Sequence, residues 1–152
     1  MARPKNNRIV KTPPIYSEFK PIGVRRSELR TISLSLDEYE AIRLADNIGL
    51  SHLEASEEMN ISRSTFSRLI DGARNKMAAF LIKGLFLQIE GGNIHFDSDS
   101  VKCNNCGALT SISMGTEVLE CPKCKSTDLI KMANKYGHGR CCTVSRENRD
   151  IK

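Results

Sequence analysis

The sequence predicts a mainly α-helical fold, in which a helix-turn-helix domain is followed by a small β domain built around four cysteines. Three observations lead to this prediction. Apolar residues recur at helical spacing through residues 62–82, two Cys-x-x-Cys motifs stand 14 residues apart, and basic residues concentrate at both ends of a chain whose net charge is +5. A chain of 152 residues has room for two small domains of this kind.

We expect the first 33 residues to form a basic, extended arm. They contain four of the five prolines of the chain, and residues 1–26 hold seven Lys or Arg against a single Glu. Proline fixes φ and restricts the residue before it to extended backbone, so a helix is not expected. An arm of this composition suits a polyanion, and Arg3-Pro4-Lys5 is a candidate for contact with a minor groove.

Two capping boxes predict where the first two helices begin. In a capping box a Ser precedes a Glu by three residues, and each side chain satisfies a backbone N–H at the start of the helix. Ser35 and Glu38 predict a helix over residues 36–47. Ser51 and Glu54 predict a second helix over residues 52–59. His52 begins this second helix, and we expect it to have no special role.

A third helix, capped by Ser62 and ending near residue 82, has the clearest helical period in the chain. We expect it to be followed by a hairpin of residues 85–90 and 93–96 around Gly91-Gly92. The predicted inward face of the helix consists of Phe66, Leu69, Ile70, Ala73, Met77, Phe80 and Leu81.

The second and third helices have the spacing of a helix-turn-helix that reads DNA. Asn60 occupies the turn, where its short side chain tolerates a left-handed backbone, and Ser56 is small where the helices approach most closely. With the apolar face directed inward, the opposite face of the third helix points toward a major groove. The candidate DNA-contacting residues are Arg63, Ser64, Thr65, Ser67, Arg68 and, for phosphate, Arg74.

These segments resemble an uncharacterised prokaryotic family of predicted DNA-binding proteins called domain of unknown function, family 134. The resemblance rests on LSLDEYEAIRLADNIGLS at 34–51 and EASEEMNISRSTF at 54–66, with Arg3-Pro4-Lys5, Phe19-Lys20-Pro21 and Ile89-Glu90-Gly91-Gly92. It implies a DNA-binding role and a helix-turn-helix similar to region 4 of sigma factors. Ser56 and Asn60 replace the Ala and Gly usual in that turn, so we expect the geometry to survive with some loss of stability.

Four cysteines indicate a metal site. Cys103 and Cys106 form one Cys-x-x-Cys turn, Cys121 and Cys124 form the other, and Gly107 lets the first turn bend back. Two such turns direct four thiolates at one ion, which predicts a zinc ribbon with structural Zn²⁺; iron is the alternative metal. We expect strands at 109–113, 117–119 and 129–130, the first two joined around Met114-Gly115.

The predicted organisation is therefore an arm, a helix-turn-helix domain with its hairpin, a polar linker, a zinc ribbon and a basic tail in which Cys141 and Cys142 could bind metal or sense oxidation. The arm covers residues 1–33, the helix-turn-helix domain with its hairpin 34–96, the linker 97–101, the zinc ribbon 102–132 and the basic tail 133–152.

We interpret the chain as a sequence-specific DNA-binding protein and a transcriptional regulator. The alternatives are an adaptor that binds RNA polymerase or another protein through the ribbon, and a metal- or redox-responsive switch. Double-stranded DNA is the expected partner, and a homodimer is expected because a small reading unit usually needs a second half-site. No catalytic constellation, secretory signal or membrane-spanning apolar run occurs in the sequence, so we expect a cytoplasmic protein that is not an enzyme.

Overall fold

The computed structural model describes residues 7–137, and within that range the fold is mixed α/β. Eight strands form three sheets among these residues, so the prediction of a mainly α-helical fold is wrong. The elements are β1 (Arg8–Val10), β2 (Glu18–Phe19), a 3₁₀ helix (Arg26–Glu28), β3 (Thr31–Leu34), α1 (Leu36–Ile42), a π-helical segment (Arg43–Ile48), α2 (His52–Glu58), α3 (Arg63–Lys83), β4 (Phe86–Ile89), β5 (Ile94–Phe96), β6 (Ser98–Cys103), β7 (Leu109–Ser113), β8 (Leu129–Lys131) and α4 (Met132–Lys135).

The described residues divide into two compact units. One comprises residues 7–9 and 14–94, and the other comprises residues 10–13 and 95–137. The first contains the helices α1 to α3 and a three-stranded sheet, and the second contains the four cysteines and another three-stranded sheet. The chain passes from one unit to the other after residues 9, 13 and 94.

The segment predicted as an extended arm supplies strands to the sheet of the first unit. The order of that sheet is β2-β4-β3, with β2 antiparallel and β3 parallel to the central strand β4. Extended backbone rich in proline can join a sheet wherever a partner strand offers hydrogen bonds. The sequence pattern predicts the extended conformation, but no local pattern indicates the distant partner strand β4.

The predicted hairpin around Gly91-Gly92 does not form. Strand β4 pairs with β2 and β3, whereas β5 pairs with β1. Both glycines have positive φ, at 74° and 99°, and Gly91 O accepts a hydrogen bond of 3.1 Å from Leu36 N. The two glycines therefore redirect the chain from one sheet to another instead of folding it back on itself.

The helical core of the first unit agrees with the predicted capping and periodicity. Glu38 and Glu54 accept hydrogen bonds from the backbone N–H of Ser35 and Ser51, each at 2.9 Å. The predicted helix 36–47 begins as expected but becomes π-helical from Arg43 and ends at Gly49, which has φ 86°. The buried cluster at the centre of these helices consists of Ala41, Leu44, Ala55, Met59, Phe66 and Ile70.

Only the first half of α3 is buried as predicted. Phe66, Ile70 and Ala73 are fully buried, but Leu81 is 72% exposed. The stripe is therefore covered for about three turns, and the last turn of α3 is exposed. None of the helices within 7–137, α3 included, is long and apolar enough to cross a membrane.

The second unit is organised around a strand that the sequence analysis took for a linker. Residues 98–101 belong to β6, the central strand of the sheet β7-β6-β8, and both of its neighbours are antiparallel to it. The predicted strand at 117–119 is absent, because β6 occupies the place beside β7. Asp99, Val101 and Cys103 face inward, an alternation that the serines at 98 and 100 obscure in the sequence.

The turn between α2 and α3 gives a test of backbone strain. Asn60 has φ 55°, a left-handed conformation in which a Cβ is unfavourable and which Asn tolerates better than most residues. We expect Asn60→Ala to lower the free energy of unfolding by about 1 kcal/mol, as measured by urea denaturation. The matched control is Asn75→Ala on the exposed face of α3, where alanine should leave stability equal or higher. Equal losses in the two variants would contradict this account.

Candidate nucleic-acid interface and metal centre

The start of α3 is fixed by a serine cap and by contacts of the preceding turn. Ser62 Oγ accepts a hydrogen bond of 3.2 Å from Thr65 N, and it also lies 2.8 Å from Thr65 Oγ1. Ile61 N donates to Ser56 O, and Ile9 N in β1 donates to Met59 O at 3.1 Å. The turn is thus held from two sides, and the direction in which α3 leaves it is determined.

The small residue at the closest approach of the helices is accommodated without an unsatisfied polar group. Ser56 is 2% exposed, and its hydroxyl donates to Leu53 O at 2.7 Å. A buried hydroxyl without a partner would cost about 1–3 kcal/mol, so this hydrogen bond explains how a serine occupies a position that favours alanine. Together with the left-handed Asn60, it lets α2 and α3 pack on each other across a tight turn.

The predicted DNA-contacting residues fall into two groups. Arg63 and Arg68 are exposed, and neither has a hydrogen-bond or ion-pair partner among the described residues. The three hydroxyl residues are engaged within the protein: Ser64 Oγ lies 3.2 Å from Ser62 Oγ, Thr65 contacts the same cap, and Ser67 contacts α2. The two arginines are therefore the side chains at the start of α3 that are free to reach an external ligand.

Arg74 lies in a different environment from the one the sequence suggested. Its guanidinium donates two hydrogen bonds to Asp46, at 3.2 Å and 2.7 Å. The hydrogen bond from Arg74 lowers the pKa of the Asp46 carboxyl. Both side chains are close to half exposed, so the pair contributes at most about 1 kcal/mol and can open for a competing phosphate.

Other basic residues of the first unit are likewise bound to carboxylates. Lys76 Nζ contacts Glu38 Oε2 at 2.8 Å, and Arg43 forms a two-point contact with Glu40. Arg8 pairs with Asp37. The acidic residues 36–60, which the sequence presents as a strongly negative region, are in large part neutralised by these internal pairs.

One contact at this surface involves a residue that the sequence analysis treated as ordinary. His52 Nδ1 lies 2.9 Å from Ser67 Oγ, and the imidazole meets the ring of Phe66 edge-on at a centroid distance of 5.4 Å. The two residues are 15 positions apart on different helices. No local spacing could have revealed the contact, because it depends on how α2 packs against α3.

The second unit brings the four predicted cysteine ligands together. Cys103 Sγ lies 3.6 Å from Cys124 Sγ, Cys106 Sγ lies 3.7 Å from Cys121 Sγ, and all four sulfur atoms are within 4.8 Å of one another. A tetrahedral zinc thiolate site with bonds of about 2.3 Å has sulfur–sulfur edges of about 3.8 Å. The sulfur positions therefore fit a single metal ion, and four protein ligands would close its coordination shell.

The two Cys-x-x-Cys turns have the same backbone hydrogen bonds. Cys103 N donates to Ala108 O and Gly107 N donates to Cys103 O, each at 2.9 Å. Cys121 N and Lys125 N make the corresponding bonds in the second turn, again at 2.9 Å. Gly107 has φ 72°, and Lys125, at the equivalent position of the second turn, has φ 62°. The lysine therefore adopts the left-handed conformation that glycine adopts in the first turn. The sequence predicts this bend only at the glycine.

Hydrogen bonds within the cluster favour the charged form of one ligand. The Asn105 side-chain amide donates to Cys124 Sγ at 3.5 Å, and with a backbone hydrogen bond from Ser126 it lowers the pKa of Cys124 to about 6. A thiolate is the form that binds a metal ion. Cys103 and Cys121 are buried, whereas Cys106 is exposed, so solvent reaches one side of the site.

Some predicted features lie outside the described residues. These are the Arg3-Pro4-Lys5 segment and the pair Cys141 and Cys142, whose roles in groove contact and in metal or redox chemistry stay predictions.

Comparison with known proteins gives a family match and many relatives without an assigned activity. A family model described as "Protein of unknown function DUF134" matches residues 1–97. A UPF0251 protein of Chloroherpeton thalassium is 46% identical over 132 residues, covering 87% of each chain. UPF0251 proteins of Clostridium novyi and Pelotomaculum thermopropionicum are 39% and 41% identical, covering 86% and 84% of this chain and 88% and 96% of their own.

The aligned length of the first relative exceeds the 97 residues of the family match, so the similarity continues into the cysteine-containing unit. No solved structure matches the chain.

The equivalence of the two cysteine turns gives a matched set of substitutions. Gly107→Ala places a Cβ in a left-handed turn and should weaken the apparent affinity for an added zinc ion about five- to thirtyfold, because the strained turn must form when the four cysteines bind one ion. Lys125→Gly removes the strain and should tighten the affinity by up to about fivefold. Chelator competition on the full chain measures both.

The control for the lost charge is Lys123→Gly, since Lys123 lies between the cysteines of the second turn without a positive φ. It should leave the affinity unchanged or lower it slightly. Tighter binding by this variant to the same extent as by Lys125→Gly would show that charge, not backbone strain, is responsible.

Proposed function

The chain belongs to the DUF134 family, whose members carry no assigned activity, and from the geometry of its first unit we propose that it is a sequence-specific DNA-binding protein that regulates transcription. In this proposal α3 enters the major groove of double-stranded DNA with Arg63 and Arg68 at the base edges. The protein acts by binding and not as an enzyme, in the cytoplasm, where a prokaryotic chromosome is accessible.

This proposal rests on which basic side chains of the first unit are paired with carboxylates and which are not. Arg8, Arg43, Arg74 and Lys76 are each bound to a carboxylate of the acidic helical region. At the start of α3, by contrast, exposed arginines have no partner among residues 7–137. Unpaired arginine side chains on the exposed face of a helix that follows a tight turn are suited to guanine edges and phosphates.

The position of these arginines on α3 adds to the electrostatic argument. They lie in the first two turns, where unpaired backbone N–H groups and the helix dipole also favour a phosphate. One nearby carboxylate that would repel DNA, that of Asp46, is bound by Arg74. The side that approaches the duplex is thus defined by local charge and not by the net charge of the chain.

Two partner predictions extend the same proposal. A single helix-turn-helix covers only a short half-site, so we propose that two copies of the chain bind adjacent half-sites as a homodimer. Contact with RNA polymerase through the cysteine-containing unit is the alternative role in transcription.

We further propose that the four cysteines hold structural Zn²⁺. The unit is small, and among its described residues the fully buried side chains are few, so the ion would supply folding free energy that the core does not. The closed shell of four thiolates provides no open position for a substrate, which supports a structural role. Iron also suits four thiolates and is the competing identity.

Substitution of the free arginines tests the DNA-binding proposal. After selection of a preferred duplex from a random pool, Arg63→Ala or Arg68→Ala should weaken binding to that duplex by about 1–3 kcal/mol, roughly five- to 150-fold, if the guanidinium contacts a base edge. Fluorescence anisotropy at fixed salt concentration measures the loss. A variant that lacks base contacts should also discriminate less between the selected duplex and a random one.

Lys83→Ala is the control for the loss of one positive charge. Lys83 is exposed at the opposite end of the same helix, so this variant should keep both affinity and discrimination within about twofold. Full affinity in the Arg63→Ala/Arg68→Ala double variant would reject the assignment of α3 as the reading helix.

Metal analysis tests the zinc proposal. We expect one zinc ion per chain and a colourless protein, whereas iron held by four thiolates would colour it. Removal of the ion by a chelator should abolish amide protection in β6, β7 and β8 while leaving that of α1 to α3 in place, as measured by hydrogen exchange. Cys103→Ser should reproduce the effect; a protein that folds fully without metal would contradict it.

A further inference from the structure

The contact between His52 and Ser67 lies at the surface proposed to meet DNA. Ser67 is one turn beyond Arg63 on α3, and residues three or four apart on a helix share a face. It therefore shares the reading face with Arg63 and Ser64, and it is partly exposed. Its hydroxyl lies 2.9 Å from Nδ1 of His52, the first residue of α2.

We propose that His52 is a positioning residue that determines whether Ser67 presents a hydrogen-bond acceptor or a donor to a DNA base, and that uptake of a proton by His52 reverses this role. The inference rests on the proposed function, because it needs α3 in a groove. It assigns to His52 a control of sequence preference that the arginines alone do not provide.

The reversal follows from the number of hydrogens on the two groups. A serine hydroxyl has one hydrogen to donate, and a neutral imidazole has one nitrogen that accepts. When Nδ1 of neutral His52 accepts from Ser67, the serine hydrogen is used, and its oxygen can only accept from DNA. When His52 is protonated, Nδ1–H donates to Ser67 Oγ, and the serine hydrogen becomes free to donate.

Each state suits different bases in the major groove. An acceptor is complementary to the amino groups of adenine and cytosine, whereas a donor is complementary to N7 and O6 of guanine or O4 of thymine. Histidine is the side chain that most readily gains and loses a proton near neutral pH. A modest change of pH, or a phosphate close to the ring, would thus alter which base is preferred beside Ser67.

The surroundings of His52 hold the ring in place and balance the nearby charges. The ring packs edge-on against Phe66. The Asp46 carboxylate, which belongs to the π-helical segment, interacts electrostatically with His52. Asp46 is itself bound by Arg74 of α3. Asp71 of α3 acts on Arg74, and on α2 itself Glu54 is engaged by Ser51. Ser67 therefore remains the hydrogen-bond partner of Nδ1.

Selection of duplexes at two pH values tests the inference. The full-length protein with its metal is used to select from a random pool at pH 6.0 and at pH 8.0, and affinities for the resulting duplexes are compared at both. We expect preference at one base position to change by about three- to tenfold, the effect of one hydrogen bond, from adenine or cytosine at pH 8.0 toward guanine or thymine at pH 6.0. Metal content is measured at both pH values to show that the ion is retained.

Variants separate this mechanism from a general effect of pH. Ser67→Ala and His52→Gln should each bind DNA but lose the change of preference, and combining them should cause no further change. His95→Gln is the matched control, since it removes another partly buried imidazole and should keep the change. Loss of the change in His95→Gln, or its persistence in Ser67→Ala, would overturn the inference.

Nuclear magnetic resonance of the histidine ring nitrogens tests the contact without DNA. At pH 8.0 we expect Nδ1 of His52 to be an unprotonated acceptor, and Ser67→Ala should change the chemical shift of this nitrogen but not those of the His95 ring nitrogens. A protonated Nδ1 at pH 8.0 would overturn the inference. A protein that binds its duplex with the same preference at both pH values would overturn it and leave DNA binding intact, whereas failure to bind any duplex would reject both.

Discussion

The packing of α2 against α3 is the constraint on which the first unit depends. Ala55 and Met59 on one side and Phe66 and Ile70 on the other form a fully buried contact, and Asn60 makes the tight turn between them. Because one face of α3 is committed to this core, the rotation of the helix about its axis is fixed. The exposure of Arg63 is therefore a consequence of the burial of Phe66, and any reading of DNA by this helix would depend on apolar contacts that never touch the nucleic acid.

The second unit relies on a different source of stability. Its sheet has three short strands, and the two cysteine turns replace much of the core that a larger domain would have. The equivalence of Gly107 and Lys125 shows that the same turn is built twice from different residues. The backbone geometry needed to direct paired sulfur atoms at one point is evidently strict enough to hold a lysine in a conformation that it would not adopt by itself.

Local signals in the sequence were sufficient for the starts of α1, α2 and α3 and for the cysteine turns, and non-local pairing accounts for the errors in the strands. Ser62 begins its helix through a contact three residues away, and each Cys-x-x-Cys turn closes within five residues, so both could be predicted from spacing. The strand β6 could not, because a polar segment becomes a central strand only when β7 and β8 pair with it. The pairing of Arg74 with Asp46 spans 28 positions and likewise leaves no local pattern.

The parallel pairing of β3 with β4 has a consequence for the helices between them. Thr31 lies beside Phe86 and Leu34 beside Ile89, so the whole helical segment is one crossover connection whose two ends meet in the same sheet. Its ends are separated by more than fifty residues of chain, so closing this ladder carries the entropy cost of a long loop. Transfer of α3 to another scaffold would accordingly require the whole segment between β3 and β4, together with its sheet, to be moved as one unit.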